Sequence, residues 1–258
     1  MDIARLEQTY ARVRDRLGPE RAECFEAAVV VEHLRSMWRP EHARIILLAE
    51  SHVWTSRTEA LSQVRQPDGA VTGFARFIYC LGGGEPTLVD PPVVPNTGAS
   101  QYWKLLHDAV RGPNQSYAGI TKAGEPDPQR RIGNKLDLLR SVREAGIWLV
   151  DASISALYHA GTRLASGNDY DHLLRDCWST YVGEAVCTSA PSLVIVIGKQ
   201  VHGAIGVALR RDLGNGVEVR VIQQPNARMT RPRHARHEKA HRVGLPQAGG
   251  AGEHGHPA

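Results

Sequence analysis

Apolar residues recur along this chain at two spacings, and the alternation between them lays out a fold. Ile3, Leu6, Tyr10, Val13 and Leu17 repeat as one face of a helix. Beyond the break at Gly18-Pro19, Phe25, Val29, Val30 and Leu34 do the same. Arg44-Ile45-Ile46-Leu47-Leu48-Ala49 then shows no polar alternation, the pattern of a strand covered on both faces inside a parallel sheet. Gly146 to Asp151 repeats that design, Ser192 to Gly198 reads as the third strand and Val217 to Gln223 as the fourth. Helices are predicted over Gln101–Val110, over Lys135–Glu144, around Leu157 and Tyr158, over Tyr170–Val186 and from Lys199 onward. Four short strands alternating with helices predict an α/β fold with right-handed crossovers.

The connections differ in kind. Gln66-Pro67-Asp68-Gly69 is a turn, and Gly82 to Gly98 is a long loop rich in Gly and Pro. Loops of that length in a compact domain tend to wall a site. Its triple glycine is not a phosphate loop, because no Gly-Lys-Ser/Thr follows. A polar loop from Gly112 to Gly133 carries Arg130 and Arg131. The expected division is helices packed on the core over 1–40, the α/β domain over 41–230, and a basic, His/Gly-rich tail over 231–258 whose last fifteen or so residues cannot bury a core.

With 258 residues the chain suits one sizeable domain. No apolar run is long enough for a membrane helix, and the N-terminus lacks the apolar centre of a signal peptide, so the expectation is a cytoplasmic protein. Cys24, Cys80, Cys177 and Cys187 are scattered, which argues against a bound metal and against disulfides. Neither cofactor, metal nor obligatory protein partner is expected. The net charge of +4 is mild, but Arg210 to Arg242 gathers nine Arg and Lys against Asp212, Glu218 and Glu238. That stripe suits phosphate contacts, although a solvated tail reads the same way.

Three of the strands end in polar groups. The first stops in Glu50-Ser51-His52, the second in Asp151, and the last in Gln224-Pro225-Asn226. In an open α/β sheet the ligand crevice lies beyond the carboxyl ends of the strands. These strand ends, in this order, resemble the uracil-DNA glycosylase superfamily. Ala49-Glu50-Ser51-His52-Val53 stands where that family has a GEAPG, GINPG or GQDPY turn. Asp151 replaces its usual base-reading Asn, and Gln224-Pro225-Asn226 its His-Pro-Ser. Ile195-Val196-Ile197-Gly198-Lys199 resembles the strand and helix between them. The resemblance spans roughly Arg44 to Arg228. It implies a three-layer α/β/α fold with a four-stranded parallel sheet in the order 2-1-3-4, and a base-flipping enzyme whose partner is DNA.

What the resemblance implies can be weighed against plain chemistry. Glu50, then His52, would handle the water beside the sugar, with Ser51 in the place of the family's Asp or Asn; either Glu50 or Ser51 could instead cap a helix. An ionised Asp151 only accepts hydrogen bonds, which suits the amino group of cytosine better than uracil; it too could be a helix cap. Trp54 and Phe74 are the candidate stacking faces, or else ordinary core. Gln224 and Asn226 would contact the leaving base or a phosphate, Arg228 and Met229 would wedge the stack, and Arg130, Arg131, Arg231 and Arg233 would hold phosphates. Plain cytosine fills the host genome, which directs the expectation to a modified cytosine; the resemblance, whose superfamily includes anti-phage glycosylases acting on modified cytosine, then implies anti-phage defence. The alternatives are repair of uracil or damaged bases, a catalytically weak DNA-binding module, and an esterase of the erythromycin-esterase type, to whose Gly-Glu-x-x-His turn Glu50-Ser51-His52 is loosely similar.

Overall fold

In the computed structural model, which describes residues 1–67, 69–94, 100–159 and 161–225, helix α1 (Ile3–Leu17) opens on Asp2, whose carboxylate accepts from the Arg5 N–H. It closes at Gly18 with φ +85°. A capping carboxylate and a left-handed glycine satisfy the groups a helix leaves unpaired at its two ends. Helix α2 (Phe25–Met37) and strand β1 (Ile45–Ala49) follow. A small excursion comes next: α3 (Arg57–Ala60), then β2 (Gln63–Arg65), β3 (Val71–Gly73) and β4 (Val89–Asp90), which pair antiparallel in the order β3-β2-β4. Helices α4 (Ser100–Arg111) and α5 (Pro128–Glu144) lead into β5 (Ile147–Asp151). A hairpin of β6 (Tyr158–His159) and β7 (Thr162–Arg163) precedes α6 (Gly167–Cys177), which continues through a π-helical turn at Trp178–Val182 into α7 (Gly183–Cys187). Strand β8 (Leu193–Ile197), helix α8 (Lys199–Leu213) and strand β9 (Glu218–Ile222) complete the described chain.

The main sheet is parallel, in the order β5-β1-β8-β9. Counting its four members along the chain gives 2-1-3-4; the five short antiparallel strands, which the sequence pattern does not reveal, only raise the strand numbers. Strand β1 is flanked on both sides, with Leu47 opposite Leu149 and Ile195, and Ala49 opposite Asp151. That is why its residues are apolar on both faces. The first crossover leaves β1 toward β5 and the second returns past β1 to β8. Right-handed connections running in opposite directions put their helices on opposite faces. Accordingly α4 packs on α5, and α6 packs on α8. The reversal of direction lies beside β1, where a crevice is expected.

Two expectations change. The helix expected around Leu157 and Tyr158 is a loop followed by the hairpin. Ser153 Oγ donates to the Ser155 carbonyl at 2.7 Å and accepts from the Ser155 N–H at 3.2 Å, local bonds that compete with helix formation. The polar loop ends at Asp127, not Gly133, because Asp127 accepts from the Gln129 N–H and Pro128 takes the first helical position. Residues 1–40 share the sheet's own core, to which Leu6, Val13, Leu17, Val31 and Leu34 belong. Residues 231–258 lie outside the described residues. No described helix is long and apolar enough to cross a membrane.

Candidate functional site

Glu50 follows directly on β1 and is 4% exposed. Its Oε1 accepts from Arg163 Nη2 at 2.9 Å and its Oε2 from Gln224 Nε2 at 2.6 Å. Arg163 ends the hairpin, and Gln224 lies two residues past β9. Gly198 (φ +115°) makes room for that amide, since a Cβ there would stand 3.3 Å from Gln224 Cγ. The Arg163 guanidinium also donates to Gln200 Oε1 at 2.6 Å and lies 4.2 Å over the Tyr170 ring and 5.6 Å over that of Tyr158. Burial, joined by the Glu50 charge, raises the pKa of both phenols. Tyr102 of α4 is raised by burial and then by Asp151 and Glu50, so it stands near both strand-end carboxylates.

Behind Asp151 runs a chain of alternating charge. Its Oδ2 lies 3.6 Å from His52 Nδ1 and 3.5 Å from Arg35 Nη2. His52 Nε2 is 2.7 Å from Glu23 Oε2, and Arg35 Nη1 is 2.7 Å from Glu32 Oε2. All five side chains are buried. Glu23 is fixed further by the N–H groups of Thr55 (2.7 Å) and Ala156 (3.0 Å). Burial works against an imidazolium at His52, but the Glu23 charge, with help from Asp151, pushes its pKa up to about 9. The Phe77 ring stands nearly perpendicular to that of His52, with centroids 6.4 Å apart.

The structure thus brings Glu50, His52, Asp151 and Gln224 to one edge of the sheet. Ser51 is engaged structurally, its Oγ accepting from the Leu157 N–H at 3.1 Å. Asp151 caps no helix, because none follows it. Trp54 stands against His159 with ring centroids 4.5 Å apart, and both line a cleft of 710 Å³ together with Val53 and Tyr158. Pro91 to Val94 of the Gly/Pro loop form part of its wall. Glu50, Asp151 and Gln224 are not among its lining residues; Tyr158, whose phenol feels the Glu50 charge, is. Two expected residues are misplaced. Phe74 is fully enclosed in the core and offers no stacking face, whereas Phe77, three residues on, reaches the site. Arg131 is buried and donates twice to Glu85, at 2.7 and 2.6 Å, so it cannot hold a phosphate; Arg130 is exposed. Asn226, Arg228, Met229, Arg231 and Arg233 lie outside the described residues.

Glu23, Arg35, Tyr102, Tyr158, Arg163 and Tyr170 belong to the site without having been singled out from the sequence. A signal was present for Arg35: Glu32 and Arg35 interrupt an apolar run one helical turn apart, where lone charges would have to pair. None of the described residues form a group of His, Cys, Asp or Glu fit to hold a metal ion. No family model, curated protein or solved structure matches the chain.

Proposed function

We propose that this protein is a DNA glycosylase that flips out a cytosine-type base, modified rather than plain, and hydrolyses its N-glycosidic bond to leave an abasic site. The meeting of Glu50 with Gln224, and of Asp151 with His52, at the carboxyl edge of β1, β5 and β9 is the observation that supports it. When the bond between C1′ and the base nitrogen breaks, its electron pair leaves with the base and the sugar becomes oxocarbenium-like. A fixed carboxylate beside that carbon stabilises the developing positive charge. Glu50 has oxygen lone pairs left after its bonds to Arg163 and Gln224, and it orients a water toward C1′. The water's proton passes to Glu50, and the departing base takes one from solvent. Asp151 accepts from the exocyclic amino group, and Trp54 and His159 offer aromatic faces nearby. Free excision of plain cytosine would destroy the cell's own genome, which favours a modified base such as foreign phage DNA carries.

The esterase reading would require His52 to meet substrate. His52 is enclosed between Glu23 and Asp151 instead, so nothing here favours that reading. Duplexes carrying uracil, cytosine, 5-hydroxymethylcytosine or its glucosylated form, incubated with the protein and probed for abasic sites, provide the test. Abasic sites at a modified cytosine are expected. Cleavage confined to uracil would overturn the substrate, and no cleavage of any duplex would overturn the activity.

A further inference from the structure

We infer that Glu23, acting through His52, together with Arg35 holds Asp151 as an acceptor-only carboxylate, and that this charge relay makes the site select bases that present an amino donor. The inference rests on the glycosylase reading for its substrate half; the relay itself stands on geometry alone.

Asp151 Oδ2 is flanked by two nitrogen groups from different elements, His52 just past β1 and Arg35 on α2, at 3.6 and 3.5 Å. Both contacts are charge contacts rather than hydrogen bonds: Asp151 Oδ2, His52 Nδ1 and Arg35 Nη2 are all buried without a hydrogen-bond partner. Each cation is held from its far side by a second carboxylate, Glu23 on His52 and Glu32 on Arg35, both at 2.7 Å. Glu23 is the keystone, because its other bonds come from the backbone of Thr55 and Ala156 and fix it whatever His52 does. Glu23 and Asp151 are the charged groups that face His52; Arg35 and Glu32 stand behind Asp151, and Tyr79 and Tyr102 come close enough to feel the Asp151 charge. With an imidazolium and a guanidinium beside it, Asp151 meets a base as a hydrogen-bond acceptor. It can then accept from the amino group of a cytosine-type or other amino-bearing edge. Opposite O4 of uracil it would set one acceptor against another, leaving that oxygen unpaired.

Glu23, His52 and Arg35 are therefore positioning residues, and the test has a readout that does not depend on activity. Imidazole nitrogen signals of the full-length protein, with His52 assigned by His52→Asn, are followed against pH in the wild type and in Glu23→Gln. His52 is expected to stay protonated to about pH 9 in the wild type. In Glu23→Gln its midpoint is expected at a proton concentration at least about tenfold higher. A neutral His52 at pH 7 in the wild type overturns the relay, whether or not the protein cuts DNA. On the duplex panel the wild type is expected to favour amino-bearing bases over uracil by at least about tenfold, and Asp151→Asn to lose that preference. A wild-type preference for uracil overturns the selectivity. No abasic product from any duplex overturns the glycosylase reading and the selectivity with it, while a protonated His52 would still uphold the relay.

Discussion

Two buried carboxylate clusters in this protein are built to different standards. Under the Gly/Pro loop, Glu85 receives two bonds from Arg131 at 2.7 and 2.6 Å and one from Lys135 at 2.6 Å. Arg131 Nη1 donates further to the carbonyls of Glu125 and Pro126. None of these three side chains has a buried polar atom without a partner. At the strand ends the opposite holds: Arg35, His52, Asp151, Arg163 and Tyr170 each retain at least one. A saturated network fixes a loop, whereas a buried group with unused bonding capacity is costly and calls for an explanation such as a ligand. The contrast separates scaffold from site among residues that look alike in sequence.

The sharpest way to break the comparison is to remove a partner from the closed cluster. Glu85→Ala strands Arg131 and Lys135 in the interior, and urea unfolding should show a loss of about 3–5 kcal/mol. Base preference should not change in whatever protein stays folded. An Ala variant within about 1 kcal/mol of wild type would show that the cluster is not the strut its geometry describes.

Glu50→Gln attacks the open cluster. The amide keeps the shape but cannot take a proton or offset a cationic sugar, so the rate of abasic-site formation should fall by about 10²-fold or more. DNA binding, followed by its salt dependence, should persist. Equal rates would remove Glu50 from the chemistry.

The sheet could be read from the sequence because β1, β5 and β8 are apolar runs bounded by polar groups, while β9 alternates Glu218 and Arg220 with valines at the sheet edge. The three strand-end polar groups followed from those same boundaries. What stayed hidden did so for local reasons. Starting helix α5 at Lys135 concealed that Arg131 and Lys135 lie one turn apart on its buried face, so Arg131 read as a phosphate ligand. The Ser153–Ser155 bonds erased an expected helix and replaced it with the hairpin that delivers Arg163 and Tyr158. Glu23 sits in the break between two helices, where no periodicity marks which way a side chain turns. Phe74 and Phe77 lie three residues apart in a segment that is not helical, so no periodicity shows which of the two faces the site.

The clusters should also fail at opposite ends of the pH scale. Burial alone would raise the Glu85 pKa, but Arg131 and Lys135 lower it below its usual 4.5. Its contribution to stability is therefore present above that value and lost as pH falls through the lowered one. His52 has the reverse sign. Its pKa is raised from 6.5 to about 9, so its contribution is complete below 6.5 and lost as pH rises through 9. Chemical denaturation from pH 6 to pH 10 should show a decline of about 3 kcal/mol attributable to this group, much reduced in Glu23→Gln. The same decline in both proteins would assign it elsewhere.

The smallest expected effect is the most discriminating. Tyr170 is 3% exposed, its ring carries the Arg163 guanidinium, and its hydroxyl is buried without a hydrogen-bond partner beside the Glu50 charge. If that hydroxyl served only the fold, it would be a poor device, since a buried donor without a partner costs about 1–3 kcal/mol. Tyr170→Phe keeps the ring and its stacking and removes the orphaned oxygen, so stability should hold or rise by up to about 1 kcal/mol. Abasic-site formation should nevertheless fall by about tenfold, because the lost hydroxyl stands beside the Glu50 carboxylate. A variant that loses stability and keeps its activity would place Tyr170 with the closed cluster and remove the strongest sign that the open one serves the chemistry.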